Sequence, residues 1–274
     1  MPTPLLYESH MHTPLCKHAR GNPADYAAVA LQKNLKGIIV TCHNPMPDNY
    51  SISVRMAESQ WAEYLDLIDA ARAQYAGRVD IRPGLECDYA PGFESYLEKQ
   101  TTSAPLNHVL GSIHPQVGEY RNKYHPGNAL AYQRLYFDHL AQAAETKIFD
   151  TLSHPDLIKN IHPQEWRLEL VFDDILRALD RIAKAGTAME LNTSGLMKDI
   201  PEFNPGPEIL REIALRKIPI VLGADAHDPE RVADQFPQAM TLLQSLGHTH
   251  VHIHIDRKRI AIPIPDALAS LAVL

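Results

Sequence analysis

Cysteine is scarce in this chain: Cys16, Cys42 and Cys87 are the only three in 274 residues. An odd, unpatterned set excludes a disulfide framework and a C-x-x-C zinc site, and it suits a reducing compartment in which the three serve as small core residues. Clustered basic residues are missing too. Lys and Arg number 26 against 33 Asp and Glu, for a net charge of -7, and no cationic stripe is available to track a phosphate backbone, so nucleic acid is not an expected partner. No apolar run approaches the ~20 residues needed to span a bilayer. The opening MPTPLLYESH lacks the cationic and apolar regions of a secretory leader. The expectation is a cytoplasmic protein with no membrane partner. Linkers rich in Gly or Ser, low-complexity tracts and short repeats are also absent, which favours one domain over residues 1–274.

What is present is a regular alternation. Short apolar runs (PLLYESHMH, KGIIVTCH, VDIRPGLE, HVLGSIH, FDTLSH, TAMELNTS, IPIVLGADAH) alternate with longer amphipathic stretches such as NPADYAAVALQKN and FDDILRALDRIAKAG. Repeated strand-then-helix units imply a parallel sheet. The fold class expected is α/β, a distorted (β/α) barrel of seven strands, one short of the usual eight. A further hairpin-like segment at about 248–265 follows the series.

Histidine is the residue in surplus, with 15 copies, and its placement carries the chemistry. His10 and His12, His43, Glu86, His114, His154, then Asp225 and His227 fall at or just after the C-terminal ends of six of the runs. In a (β/α) barrel those ends converge on the face where active sites lie. Side chains alternate along a strand, so H-x-H at 10–12 and D-x-H at 225–227 each aim two ligands to one side. With His18, the set holds more nitrogen and oxygen donors than one tetrahedral ion accepts, which calls for two or three divalent transition-metal ions, Zn, Fe or Mn. A closed structural zinc site would use four ligands, often Cys, and does not match this set.

The motifs HMH with a following His, GIIVTCHNP, PGLECDY, GSIHP, LSHPDLIKN, LNTSGLMK and GADAHDPER resemble, in order and over nearly the whole chain, the polymerase and histidinol phosphatase (PHP) superfamily, and within it the histidinol-phosphate phosphatase type. The resemblance implies a trinuclear cluster: one metal on His10, His12, Glu86 and Asp225, a second on Glu86, His114 and His154, a third on His18, His43 and His227. It implies hydrolysis of L-histidinol phosphate to L-histidinol and inorganic phosphate in histidine biosynthesis by a hydroxide bridging the metals, with Glu86, Asp225 and His227 as catalytic residues. Lys159 and Lys198 match positions where the family places basic residues for phosphate, with Arg231 as a further candidate. Asn192, Ser194 and Glu119 are candidates for the polar ends of the substrate. A broader small-molecule phosphate monoesterase, or a phosphodiesterase of the same superfamily, is the alternative.

Other chemistries fit less well. No Cys heads a C-x5-R phosphate loop and no D-x-D-x-T aspartyl nucleophile occurs. Amidohydrolases also begin with H-x-H on a barrel strand, but bridge their metals with a Lys where this chain has Glu86. A metal-binding regulatory module with a decayed cluster is opposed by the complete donor set. The stretch THVHIHID at 249–256, the densest in His, is expected to be an exposed or interface hairpin. His139 and His162 are expected at the surface, and His108 at the start of a strand, away from the chemistry.

Overall fold

The computed structural model describes residues 2–271. Nine strands form one sheet in sequential order, separated by nine α-helices among the described residues. The strands are β1 (Tyr7–Glu8), β2 (Gly37–Val40), β3 (Asp80–Asp88), β4 (His108–Ser112), β5 (Thr151–Leu152), β6 (Ala188–Asn192), β7 (Ile220–Gly223), β8 (His250–Ile255) and β9 (Lys258–Pro263). The helices are α1 (Pro23–Gln32), α2 (Trp61–Gln74), α3 (Glu94–Thr101), α4 (Gly118–Tyr124), α5 (Ala129–Thr146), α6 (Leu168–Ala185), α7 (Pro207–Leu215), α8 (Phe236–Ser245) and α9 (Ile264–Ser270). Every neighbouring pair from β1 to β8 is parallel, and β8–β9 is an antiparallel hairpin. The α/β class expected from the alternation holds. No helix among the described residues is long and apolar enough to cross a membrane.

Local sequence explains the elements. β2, β4, β6 and β7 are buried at every position, as parallel strands covered on both faces must be. Helix α6 buries Val171, Ile175, Ala178, Leu179 and Ile182, one stripe at helical spacing, and stops at Gly186 with φ 80°, where a left-handed residue closes the last turn. Helix α1 starts with Pro23 behind Asn22, and the Asn22 amide donates to the Asp25 carboxylate at 2.8 Å.

The parallel strands curl so that the first meets the seventh beyond their C-terminal ends. Met11 and Ala226 form a parallel bridge: the His12 amide donates to Ala226 O at 2.9 Å and the Ala226 amide to His10 O at 2.9 Å. At the opposite end β8 takes the place beside β7 through a single pair, Val221 with His252. The hairpin turn lies against the start of β4, where the Arg257 amide donates to Asn107 O at 3.0 Å and the Asp256 amide to Asn107 Oδ1 at 3.1 Å. The 249–256 stretch is therefore not uniformly exposed. His250 is exposed, but His254 is buried and stacks on buried His108 with centroids 4.8 Å apart, because the strand leans across the barrel base. His139 is also buried rather than at the surface, its Nδ1 held 2.7 Å from the Tyr120 hydroxyl.

Candidate active site

The C-terminal ends of the strands converge on a cavity of about 530 Å³ whose lining includes His18, His43, His114, His154, Asp225 and His227. Beneath them, fully buried, lie His10, His12 and Glu86. Glu86, on β3, is the centre of the group. Its Oε1 is 2.9 Å from His154 Nε2 and 3.4 Å from both His10 Nε2 and His114 Nε2, and its Oε2 is 2.8 Å from His43 Nδ1 and 3.6 Å from His12 Nε2. Asp225 Oδ1 stands 3.1 Å from His12 Nε2 and 3.6 Å from His10 Nε2. His18 Nε2 and His227 Nε2 lie 2.9 Å apart at the outer edge. All nine residues singled out as ligands in the sequence thus share one site.

The backbone is bent to put them there. Asp225 has φ 50° and His154 φ 28°, left-handed conformations that cost a non-glycine residue about 1–3 kcal/mol and persist only where the surroundings impose them. Gly223 supplies the room: a Cβ there would come within 1.9 Å of Glu190 Oε1 and 2.8 Å of His10 Cβ.

A second ring of groups, not anticipated from the sequence, orients the imidazoles. Glu190 Oε1 is 2.7 Å from His10 Nδ1, while its Oε2 accepts from the His154 amide at 2.8 Å and from Asn192 Nδ2 at 2.9 Å. Asp88 Oδ1 holds His114 Nδ1 at 2.7 Å, and Asp88 itself pairs with the buried Arg55. Carbonyls do the same for His18, from Cys16 at 2.7 Å, and for His227, from Asp225 at 3.0 Å. A partner on Nδ1 fixes the tautomer and leaves Nε2 free for a metal. Glu8 locks the frame: its carboxylate accepts from the amides of His10 (3.0 Å), Ala224 (3.1 Å) and Ala233 (2.7 Å), and burial pushes its pKa up to about 7. The only signal for Glu190 and Glu8 in the sequence is an acidic residue inside an otherwise apolar run.

The electrostatics call for cations. Burial alone would lower the histidine pKa values and raise those of the carboxylates. Against burial, the neighbouring carboxylates raise His10 well above its usual value, His12 to about 9 and His114 to about 10. Against burial likewise, the imidazoles hold Glu86 and Asp225 well below the ordinary carboxylate range. His43 and His227, where burial dominates, are lowered instead, His43 to about 4. Buried negative charge on Glu86, Glu190 and Asp225 that draws protons onto imidazoles draws divalent ions in the same way. His10 Nε2 is buried without a hydrogen-bond partner, and His43 Nδ1 and Glu86 Oε2, though 2.8 Å apart, are not aligned to form a hydrogen bond; orphaned atoms of this kind fit bound metal.

The residues expected to hold phosphate separate. Lys198 lines the cavity. Lys159 does not: it is fully buried, and its ammonium donates to Asp156 (2.8 Å), Glu202 (2.8 Å) and Phe203 O (3.1 Å), which uses all three N–H groups. Arg231 is also outside the lining, paired with Asp234 at 3.0 Å and touching Met197 Sδ. Asn192 and Ser194 are buried behind the cluster; Ser194 Oγ donates to Asn192 Oδ1 at 2.7 Å and lies 3.2 Å from Asp225 Oδ2. Glu119, at the start of α4, lines the cavity beside Gln116, Val117 and Gly118, with its Oε1 accepting from the Ser51 amide at 2.9 Å. Arg55, which the sequence did not flag, is another lining residue.

Comparison with known proteins agrees with this picture. Residues 8–194 match the PHP domain family. A protein of Deinococcus radiodurans named "probable histidinol-phosphatase" is 38% identical over 251 residues, 88% of this chain and 94% of that one. The histidinol-phosphatase of Bacillus subtilis is 26% identical over 257 residues, 80% of this chain and 92% of the relative. Among solved structures, the histidinol phosphate phosphatase of Lactococcus lactis, complexed with Zn, L-histidinol and phosphate, superimposes with a TM-score of 0.78 at 19% identity, over 93% of this chain and 98% of that one.

Proposed function

The chain belongs to the PHP domain family, and from that premise we infer that it is a metal-dependent histidinol-phosphatase, hydrolysing L-histidinol phosphate to L-histidinol and inorganic phosphate. The observation that carries this reading is the full nine-residue donor set at the foot of one cavity, in a chain whose relative of that name is 38% identical over 88% of its length.

His10, His12, Glu86 and Asp225 would hold one divalent transition-metal ion, Glu86, His114 and His154 a second, and His18, His43 and His227 a third. Bound there, such ions neutralise phosphoryl charge and activate water for in-line attack. The protein's own part is positional. Glu190 and Asp88 keep His10 and His114 in one tautomer, and Ser112 Oγ, donating to Glu86 Oε1 at 2.6 Å, fixes the central carboxylate. Lys198 offers a mobile cation to the phosphate. Glu119 offers a carboxylate to the substrate's ammonium, and the wall built by residues 116–119 sets which leaving group fits. His227, half-buried with its pKa lowered chiefly by burial, sits where the cavity opens.

The test is the specificity constant for histidinol phosphate against sugar phosphates, phosphoserine and nucleoside monophosphates on metal-reconstituted protein. A preference above tenfold, about 1.4 kcal/mol of transition-state discrimination, is expected. A smaller one supports a broad-range monoesterase, and turnover of diesters alone defeats both readings.

A further inference from the structure

Directly behind the cluster, two thiols and one imidazole meet. Cys16 ends the short 3-10 turn Pro14–Cys16 and Cys42 follows β2; both are fully buried. Their sulfurs and a nitrogen of His12 all lie within 4.8 Å of one another. His12 has its Nε2 at Asp225, whereas its Nδ1 is buried and has no hydrogen-bond partner. Unlike His10, His18, His114 and His227, then, His12 has no oxygen on Nδ1 and faces sulfur. The Cys42 sulfur is further prepared for negative charge, since the Thr13 amide at 3.4 Å and the Thr13 hydroxyl at 3.3 Å both point at it.

We propose that Cys16, Cys42 and His12 Nδ1 form a separate site for a thiophilic divalent ion of the zinc group, back to back with the oxygen-and-nitrogen cluster and sharing His12 with it. Sulfurs around a tetrahedral ion with 2.3 Å bonds stand about 3.7 Å apart, so the side chains need to draw together by little more than 1 Å. Charge favours a divalent ion: binding converts two thiols to thiolates and, because His12 then bridges two cations through both ring nitrogens, its imidazole to an imidazolate, releasing three protons and leaving a single negative charge that the adjoining cluster cations share. Thiolates select soft ions, whereas the carboxylates of the cluster favour harder ones, so the two compartments sort metals by chemistry. An ion in the sulfur compartment would pin His12 between two cations and act on the cluster without entering it.

Cadmium reports the site because its thiolate bonds absorb in the ultraviolet and the cluster contains no sulfur. Titration of the metal-loaded protein with Cd²⁺ is expected to raise a charge-transfer band that saturates at one equivalent and releases three protons. The band should persist in Cys87→Ser, whose thiol is elsewhere in the core, and vanish in Cys42→Ser. X-ray absorption on the wild-type protein is expected to count two sulfurs in the cadmium shell, which decides the matter even if Cys42→Ser fails to fold. Absence of the band, its survival in Cys42→Ser, or a shell with fewer than two sulfurs overturns the proposal.

Discussion

Lys159 and Lys198 show how far residue type falls short of role. Both follow strand ends, yet one ammonium is consumed by Asp156, Glu202 and a carbonyl and the other lines the cavity. Lys198→Ala is accordingly expected to raise KM severalfold with little effect on unfolding. Lys159→Ala is expected to cost about 3–5 kcal/mol of stability, because it leaves the buried Asp156 carboxylate without its cation, while metal content per folded molecule stays the same. Urea unfolding and steady-state kinetics on the two variants check this; a KM effect in Lys159→Ala without loss of stability would return it to the phosphate site. The convergence of the nine candidate ligands was legible because strand-end position and period-2 spacing are properties of the sequence. The groups behind them were not. Asp156 stands three residues before Lys159 and is the only local hint of that pair. Nothing along the chain links Glu190 to His10, 180 residues apart, until the strands are side by side.

At the scale of elements, the first seven of the eight parallel strands could be read from the alternation, whereas the course of the hairpin could not. Alternating His and β-branched residues marked β8 as a strand. Which imidazole would be covered depended on the strand crossing the barrel base onto His108, a contact between residues 146 positions apart. Segment β7 is tightly constrained at its end, because its last residue must leave space for a carboxylate from β6. Gly223→Ala is expected to yield a protein that folds but binds metal at least tenfold more weakly, since the added methyl meets Glu190 Oε1 at 1.9 Å and His10 Cβ at 2.8 Å and misplaces the first ligand. Competition with a chelator measures it; unchanged affinity would show that Glu190 can withdraw without moving His10.

The whole molecule carries a pH dependence remote from the cluster. Burial lowers the pKa of His254 to about 3, with the Arg259 cation adding to it, and lowers His108 well below its usual value. Both are neutral in the fold and protonate near 6.5 once unfolded, so the unfolded chain binds more protons as pH falls. Stability is therefore full above about pH 6.5 and declines below it by up to about 1.4 kcal/mol per pH unit for each imidazole, His254 ceasing to contribute near pH 3. His254→Leu, which keeps the apolar stack, should flatten part of that slope in denaturant unfolding followed from pH 7 to 5. An unchanged slope would assign the acid sensitivity elsewhere.

The bridge between Met11 and Ala226 has a kinetic meaning. It joins residues 215 apart, flanked on one side by His10 and His12 and on the other by Asp225 and His227, so closing the barrel's seam also brings the two ends of the candidate ligand set together. Closing so distant a contact carries a large loop entropy, and topologies of this kind fold slowly. A cation held by the candidate ligands on both sides of the seam would then work as a latch. Amide hydrogen exchange at His12 and Ala226 should be slow in the metal-loaded protein and accelerate after chelation, well beyond the change at β4 and β6, because removing the latch lets the seam open without the rest of the barrel.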